Sequence, residues 1–266
     1  MKIAIIGTGN LGKSIAKGLI TTNAITSLYL TKRNLAAIEE FEGYNNVFLT
    51  SNNIEAIENS DIIILAVQPA HLESILNEIQ SFLKENHIII STITGFSITK
   101  IKAIIGADNF IVRAMPNTAI AVGKSMTCLC GNTKGMERIK VAEAIFNRLG
   151  TSIVIPESQM QAATVVCASG IAFWMRMIRA TTQAAIQLGF DAKEAQELAM
   201  HTCNGAANLL ITNGNHPEQE IDKVTTPKGC TIEGLNEMEH QGLSSSLIQG
   251  MVTSYNKIHT IKTEQL

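Results

Sequence analysis

The sequence predicts an α/β domain with a doubly wound, mostly parallel sheet, followed by an all-α domain. Short apolar runs alternate with segments of helical length over roughly the first 155 residues, and a glycine-rich turn follows the first run. After Pro156 no convincing strand run follows, only stretches rich in helix-forming residues. The predicted boundaries are therefore residues 1–156 for the α/β domain and 157–266 for the helical one.

The predicted strands are continuous apolar runs, which is typical of parallel strands covered by helices on both faces. In chain order they are residues 3–6, 28–30, 47–49, 62–67, 88–90 and 110–112. Two further runs, residues 126–129 and 153–155, lie on either side of a helix predicted around residues 136–149. They are expected to extend one edge of the sheet.

The turn Gly7-Thr8-Gly9-Asn10-Leu11-Gly12 has the spacing G-x-G-x-x-G between a predicted strand and a predicted helix. Such glycines allow a tight turn and a close approach of the backbone to a pyrophosphate, whose charge faces the helix N-terminus. In this context we predict a dinucleotide-binding Rossmann domain. The alternative is a turn that serves only close packing of the strand on the helix.

The end of the second strand bears on the choice of dinucleotide. A site that prefers NAD usually has Asp or Glu there to accept a hydrogen bond from the ribose 2′-hydroxyl, whereas an Arg suits a 2′-phosphate. This chain has Lys32 and Arg33 and no acid. NADP(H) is therefore favoured, with Arg33 as the stronger phosphate ligand because a guanidinium binds phosphate bidentately. The alternative is a solvated basic turn.

The helical part begins with a long segment, residues 157–188, that ends at Gly189. Residues 162–175 are apolar or small on every helical face, which is typical of a helix buried all round. We expect a dimer interface with an active site beside it, the alternative being burial within the same chain. A second helix is predicted from the N-cap Asp191 to about Thr212, a turn at residues 213–217, and shorter helices at about 231–240 and 244–259.

Composition excludes several classes of partner. The 266 residues carry a formal net charge of -2, which gives no broad electrostatic footprint for nucleic acid or an anionic membrane. The 5 cysteines are odd in number and form no C-x-x-C pair, so neither a disulfide framework nor a metal site is expected. No N-terminal signal and no apolar run of about 18–20 residues is apparent. A soluble, cytoplasmic protein is expected.

The stretch from Val224 to Leu235 combines hydroxyls, Pro227 and Gly229 in a loop that leads into a predicted helix. The N–H groups that open such a helix suit a small anion, such as a carboxylate. The long first helix offers no His, Lys or Tyr as a general base between residues 157 and 176. The polar groups expected near a nicotinamide are therefore hydroxyls, from Ser169, Thr225, Thr226 and Thr231. Such a site suits an electrophile that arrives already activated.

Five blocks, residues 7–12, 65–69, 112–118, 168–170 and 224–235, resemble in order the signature motifs of pyrroline-5-carboxylate reductase. The resemblance implies a Rossmann domain, an α-helical dimerisation domain with helices interlocked between subunits, and the last step of proline biosynthesis. In that step a hydride passes from NAD(P)H to the cyclic imine 1-pyrroline-5-carboxylate. NADPH is the expected cofactor, NADH is not excluded, and the expected assembly is a homodimer or an oligomer of dimers.

The resemblance also implies site residues. Those expected to bind the cofactor are Gly7, Gly9, Asn10, Leu11, Arg33, Asn53, Ala66, Val67, Gln68 and Pro69. Those expected to bind the substrate are Ser169, Thr226, Cys230 and Thr231. Thr231 is expected to act in catalysis, because its hydroxyl would hydrogen-bond the ring nitrogen as iminium becomes amine.

This chain departs from the family pattern at four positions: Gln68 stands for Lys, Ala119 for Pro, Ile171 for Pro and Lys228 for Gly. Lys228 is expected either to add positive charge to the carboxylate pocket or to point to solvent because its backbone does not demand Gly. Two rival functions stay open. A β-hydroxyacid dehydrogenase-like reductase would need a Lys in the middle of the helical domain, and a non-catalytic NADP-binding regulator would have a decayed site.

Overall fold

The computed structural model describes residues 1–22 and 25–264, and side chains as far as residue 258. The chain divides into two compact units. The first comprises Met1–Ser169 together with the end of the chain from Tyr255, and the second comprises Gly170–Ser254. This division by contacts lies 13 residues beyond the domain boundary predicted at residue 156, which stays a prediction.

The first unit contains a sheet of eight strands among the residues described, in the order β3-β2-β1-β4-β5-β6-β7-β8. All neighbouring strands are parallel except β6 and β7, which are antiparallel. The strands are β1 Lys2–Ile6, β2 Ser27–Thr31, β3 Val47–Thr50, β4 Ile62–Leu65, β5 Ile88–Ser91, β6 Phe110–Met115, β7 Ser125–Gly131 and β8 Gly150–Val154. The doubly wound, mostly parallel sheet and its extension by two further strands at one edge are confirmed.

Helices cover both faces of this sheet. Since successive side chains of a strand point to opposite faces, each strand contributes to two separate cores. Ile3 and Ile5 pack in one apolar core and Ala4 and Ile6 in the other, all fully buried. A fully buried aliphatic side chain contributes roughly 1.5–3 kcal/mol of stability. The helices of this unit are α1 Asn10–Ile20, α2 Asn53–Glu58, α3 Pro69–Ile79, α4 Ile98–Ile105, α5 Thr133–Glu137, α6 Ile139–Phe146 and α7 Met160–Ala163.

The helix predicted around residues 136–149 is two short helices, α5 and α6. Asn132 caps α5, since its side-chain oxygen accepts a hydrogen bond from Gly135 N at 2.6 Å. Arg138 leaves the helical conformation between the two helices (φ -110°, ψ 8°). Gly135 lies against the strand backbone, where a Cβ would collide with the carbonyl of Ile111.

The second unit is all helical. Its helices are α8 Gly170–Gln187, α9 Ala192–Asn213, α10 Pro217–Val224, α11 Cys230–His240 and α12 Leu243–Glu264, the last of which ends in the first unit. Asp191 caps α9 as predicted, accepting hydrogen bonds from Lys193 N and Glu194 N at 2.8 and 2.9 Å. Helix α10 was not predicted. Pro217, interpreted as part of a helix-ending turn, is the first residue of a new helix whose N-cap is His216.

The long helix predicted over residues 157–188 is not continuous. A 3₁₀ turn at Glu157–Gln159 precedes α7, and a π-helical segment at Thr164–Ser169 joins α7 to α8. Burial all round is also wrong for the single chain, where Val166, Trp174 and Met175 are 57%, 57% and 58% exposed. Burial within the same chain is thereby excluded for these side chains. Of the residues searched, Glu157–Gln187 is one segment whose length and composition would allow it to cross a membrane.

Candidate active site

The glycine-rich turn links β1 to α1 and requires glycine at two positions for steric reasons. Gly7 has φ +94°, and a Cβ there would collide with the side chain of Val67. A Cβ on Gly12 would lie 2.5 Å from the carbonyl oxygen of Gly7. The turn is held to β2 by hydrogen bonds from Gly7 N to Thr31 Oγ1 at 3.2 Å and from Thr8 N to the Thr31 carbonyl at 2.9 Å.

Gly9 differs from these two glycines because a Cβ there would meet nothing within 4 Å. It is exposed and is the N-cap of α1, with no side-chain cap and no acidic residue in the first helical turn. Asn10 is also exposed and Leu11 is half-buried. Beside them, the buried Thr8 Oγ1 has no hydrogen-bond partner among the described atoms. An open helix N-terminus with bare backbone fits the pyrophosphate of a dinucleotide.

The two cations after β2 have different partners. Lys32 Nζ donates to the carbonyl of Thr8 at 2.9 Å, so its charge supports the glycine-rich turn. Arg33 is exposed, and its guanidinium makes no hydrogen bond or ion pair with any residue described in the structure. Of these two cations, Arg33 is thus the one whose charge has no partner among the residues described, and its role as ligand of a 2′-phosphate stays a prediction.

The segment after β4 lies beside the glycine-rich turn, because β4 pairs with β1 and Ala66 N donates to the carbonyl of Ile6 at 2.9 Å. Ala66 and Val67 are half-buried, Gln68 is the exposed N-cap of α3, and Pro69 is the first residue of that helix. The strand order reverses between β1 and β4. In open α/β sheets, ligands bind at the carboxyl ends of strands at this point.

Asn53 is less closely associated with this crevice. It follows β3, which is separated from β1 by β2, and it is the first residue of α2. Its side-chain amide donates to Glu78 Oε2 at 3.2 Å, and the cap of the helix is its neighbour Asn52. The fold therefore brings Arg33 and residues 66–69 to the glycine-rich turn and places Asn53 further along the same edge.

A cavity of about 260 Å³ in the first unit was not expected from the sequence. Its lining includes Thr94, Ser97, Arg113 and Glu157. Arg113 is 8% exposed, and its Nη1 donates to Glu157 Oε1 at 3.0 Å. The same carboxylate oxygen also accepts a hydrogen bond from Ile98 N at 2.7 Å. The Nε of Arg113 is buried and has no hydrogen-bond partner among the described atoms. An arginine inside a buried apolar strand was the sequence signal for this feature.

Ser169 is half-buried at the end of the π-helical segment, Thr164–Ser169. Asn117, after β6, holds this segment, because its Nδ2 donates to the carbonyl of Cys167 at 3.0 Å. The backbone N–H of Asn117 donates to Ser125 Oγ at 3.0 Å, which fixes Asn117 in turn. π-Helical turns are frequent at functional sites, and this one positions Ser169 two residues beyond the contact with Asn117.

The threonine-rich loop of the second unit runs from the end of α10 to the start of α11. Gly229 N donates to the carbonyl of Thr226 at 2.9 Å, which closes a turn with Pro227 at its second position. A Cβ on Gly229 would collide with Thr226 Oγ1, so this glycine is sterically required. Thr226 and Cys230 are exposed and Thr231 is half-buried in the first turn of α11. Gly229 caps α11 without a side-chain hydrogen bond, which leaves its first N–H groups available to an anion.

Lys228 corrects one expectation. Its φ is +58°, and among the described residues no other non-glycine residue has a positive φ. The expectation that the backbone here does not demand Gly is wrong, because this conformation lies in the left-handed region that favours glycine. It costs an L-residue roughly 1–2 kcal/mol. Lys228 occupies the third position of the turn, where a positive φ is typical of type II.

The predicted site residues are thus distributed over both units. Those for the cofactor and Ser169 belong to the first unit, and Thr226, Cys230 and Thr231 belong to the second. No group of three or more His, Cys, Asp or Glu side chains that could hold a metal ion occurs among the residues described.

Both parts of the chain match known families. Residues 157–261 match the family model described as pyrroline-5-carboxylate reductase dimerisation, and residues 2–95 match the one described as NADP oxidoreductase, coenzyme F420-dependent. Pyrroline-5-carboxylate reductase 2 of Dictyostelium discoideum is 42% identical over 272 residues, which cover 96% of this chain and 91% of that protein. The chain belongs to the pyrroline-5-carboxylate reductase family.

Two further relatives agree with this assignment. Pyrroline-5-carboxylate reductase 1 of the same organism is 46% identical over 279 residues, and the match covers 99% of this chain but 50% of that protein. The structure of Plasmodium falciparum pyrroline carboxylate reductase with NADP bound has a TM-score of 0.88 and 26% identity, covering 98% of each chain. The family resemblance of the five sequence blocks is confirmed, as is the Rossmann domain followed by a helical dimerisation domain.

Proposed function

We propose that this chain is a pyrroline-5-carboxylate reductase that transfers a hydride from NADPH to the cyclic imine 1-pyrroline-5-carboxylate and yields L-proline. One observation carries this proposal: a chain of this family has both an open glycine-rich turn and a threonine-rich loop at the N-terminus of a helix. Gly9 leaves backbone open to a dinucleotide, and the start of α11 offers N–H groups and the hydroxyl of Thr231. Each end of the reaction thus has residues suited to it.

In the first unit, the proposed cofactor residues bind the two phosphate groups of NADPH in different ways. The N–H groups at Asn10 and Leu11 face the pyrophosphate, Gly9 lets it approach because it has no side chain, and Arg33 binds the 2′-phosphate. Residues 66–69 form the wall of the crevice beside β1, and Asn53 lies further along the same edge. When bound, the reduced nicotinamide supplies the hydride. NADPH is preferred over NADH because it alone carries the 2′-phosphate, and the charge of Arg33 has no other partner among the described residues.

In the second unit, the proposed role of the chain is to hold and orient the substrate. Protonated 1-pyrroline-5-carboxylate is an iminium, whose carbon accepts hydride directly, so no residue has to remove a proton from it. The N–H group of Cys230 at the start of α11 holds the carboxylate, with Thr226 beside it, because the N–H of Gly229 is already bonded to the Thr226 carbonyl. Thr231 hydroxyl accepts from the iminium N–H and so fixes the ring. Ser169 is proposed to lie near the ring by analogy with the family. Orientation of this kind supplies most of what such a reaction needs.

The proposed assembly is a homodimer, and an oligomer of dimers is compatible with it. The apolar side chains Trp174 and Met175 of α8 are more than half exposed in the single chain, so a second copy is their natural cover. We propose that Glu157–Gln187 packs on protein rather than lipid, because its helix is interrupted by a π-helical segment and carries Arg176 and Arg179 in α8. The proposed location is the cytoplasm, with neither membrane nor nucleic acid as a partner.

Oxidation of NADPH, followed by its absorbance with 1-pyrroline-5-carboxylate as substrate, tests the proposed activity. A reductase consumes NADPH only when the imine is present. A non-catalytic regulator would bind NADPH without changing the absorbance over time. A β-hydroxyacid dehydrogenase-like reductase would instead reduce NADP when given a β-hydroxyacid, and either of these two outcomes would overturn the proposal.

A further inference from the structure

Two cysteines that the proposed reaction does not use lie in contact in the first unit. Cys128 is in β7 and Cys167 is in the π-helical segment, and their Sγ atoms are 3.7 Å apart. They are separated by 39 residues in the chain, so the contact depends on the tertiary fold. Both are free thiols.

The two thiols differ in exposure. Cys128 is 2% exposed, whereas Cys167 is half-buried in the single chain and is the more accessible of the two to a small solute there. Either thiol could donate in this contact; with Cys128 as the donor, the hydrogen bond lowers the pKa of Cys167 below the ordinary value and raises that of Cys128. We assign the charge to Cys167 because its exposure solvates a thiolate better. An accessible thiolate beside a buried thiol is the arrangement of a sensing and a resolving cysteine.

A third thiol nearby does not have these properties. Cys130 lies two residues along β7 and is also 2% exposed. Burial raises its pKa to about 11, which keeps it protonated at neutral pH. Cys130 therefore serves as an internal control with the burial of Cys128 but without the contact to Cys167.

We propose that Cys128 and Cys167 form a peroxide-responsive pair that closes reversibly to a disulfide. The Cys167 thiolate attacks one oxygen of hydrogen peroxide, the O–O bond breaks, and the products are a sulfenic acid and hydroxide, which takes up a proton to give water. The Cys128 thiol then attacks the sulfenic sulfur, the S–O bond breaks, and a second water leaves with the thiol proton. The two thiols are oxidised by two electrons and the peroxide is reduced to two waters. A dithiol reductant reverses the reaction by thiol–disulfide exchange.

The disulfide would connect β7 covalently to the π-helical segment. The same segment is hydrogen-bonded to Asn117 through the carbonyl of Cys167 and ends at Ser169. Closure requires the sulfur atoms to approach from 3.7 Å to the bonded distance of about 2.05 Å. Once formed, the bond would restrain the turn that positions Ser169.

Treatment of the intact protein with a small excess of hydrogen peroxide, followed by alkylation, digestion and mass spectrometry, tests the pair. The expected result is the loss of two free thiols and a linked pair of peptides containing Cys128 and Cys167, both reversed by dithiothreitol. The Cys203→Ser variant, changed on α9, should give the same linkage. A chain in which Cys167 is oxidised to sulfinic acid while Cys128 stays alkylatable would overturn the proposal, as would a linkage found only between two chains.

Trypsin leaves Cys128 and Cys130 in one peptide, since the flanking basic residues are Lys124 and Lys134. Paired variants separate them. Cys130→Ser should keep the linkage to Cys167, and Cys128→Ser should abolish it and leave a sulfenic acid on Cys167 that a cyclic dione traps. The reverse result would contradict the assignment. If Cys128→Ser does not fold, Cys128→Ala, which buries no hydroxyl, gives the same readout.

Discussion

Lys32 joins the ends of two neighbouring strands, donating from Nζ to the backbone carbonyl of Thr8 at 2.9 Å. Its neighbour Arg33 has no such partner among the described residues. Two adjacent cations therefore differ: Lys32 holds the glycine-rich turn, and Arg33 is the one proposed to bind the 2′-phosphate of the cofactor.

Arg33→Ala should weaken NADPH binding and leave NADH binding nearly unchanged. A hydrogen bond to a charged group is worth roughly 1.5–3 kcal/mol, so the Kd for NADPH should rise about tenfold or more. Lys32→Ala is the matched control, since loss of the bond to Thr8 should weaken both dinucleotides alike. Titration by fluorescence measures all four constants. Equal losses for NADPH and NADH in Arg33→Ala would show that Arg33 does not contact the 2′-phosphate.

Gly9→Ala and Gly12→Ala should separate binding from folding. A Cβ on Gly9 meets no protein atom within 4 Å, so this variant should keep its Tm and lose affinity for the cofactor. A Cβ on Gly12 lies 2.5 Å from the Gly7 carbonyl, so this variant should lose stability as well, by about 1–3 kcal/mol. Thermal unfolding without cofactor and titration with NADPH measure the two effects. A drop in Tm for Gly9→Ala would mean that the open space at Gly9 is needed by the protein itself.

Thr231→Val should lower kcat about tenfold or more, because it removes a hydroxyl proposed to orient the charged ring nitrogen. Its KM for NADPH should change little, since the residue lies in α11 and not among the cofactor residues. Thr231→Ser retains a hydroxyl and should recover most of the activity. Steady-state kinetics on the three proteins check the role, and full turnover in Thr231→Val would rule it out.

Lys228→Gly should stabilise the chain by roughly 0.5–1 kcal/mol. Glycine removes about 1–2 kcal/mol of left-handed strain, and its extra freedom in the unfolded state offsets part of the gain. Lys228→Ala keeps the Cβ and loses the charge, so it should show no such gain. Urea unfolding measures stability, and the KM for the imine measures the charge. A raised KM in both variants would favour the reading in which Lys228 adds positive charge to the pocket.

Glu40 should contribute stability that disappears in acid. Its carboxylate accepts from Lys13 Nζ and forms an ion pair with Lys17 Nζ, each at 2.7 Å, and these cations lower the pKa of Glu40 to about 2. Because the folded value lies below the ordinary 4.5, the contribution is present above that pH and is lost as pH falls toward about 2. The Tm difference between wild type and Glu40→Gln should therefore shrink over this range. The group is exposed, so the difference should be small and should also shrink in salt.

The centre of the sheet was predictable because strands such as β1 and β4 are continuous apolar runs that feed two cores at once, as Ile3 and Ala4 do from adjacent positions. The glycine-rich turn was predictable because its backbone leaves no room for a side chain at Gly7 and Gly12, and the resulting G-x-G-x-x-G spacing is visible in the sequence. Helix α10 was missed because Pro217 is compatible both with the end of one helix and with the start of another, and the capping by His216 decides between them. A proline alone does not distinguish these cases.

The π-helical segment and the conformation of Lys228 lie beyond what residue patterns encode. Residues 164–169 have the composition of a regular helix, and tertiary contacts of Cys167, with Asn117 through its carbonyl and with Cys128 through its sulfur, accompany the change of pitch. Lys228 is held at positive φ by a turn that Pro227 and the bond from Gly229 to Thr226 close around it. The ion pair of Arg113 with Glu157 joins residues 44 positions apart, which no local pattern connects.

Trp174 is the single tryptophan of the chain, and it is 57% exposed on α8. The protein thus carries one indole fluorophore, situated on the surface proposed to meet a second copy. Its emission should shift to longer wavelength and become more open to quenching by iodide when the protein is diluted below the dissociation constant of the dimer. Self-association can therefore be followed optically in the unlabelled, unmutated chain.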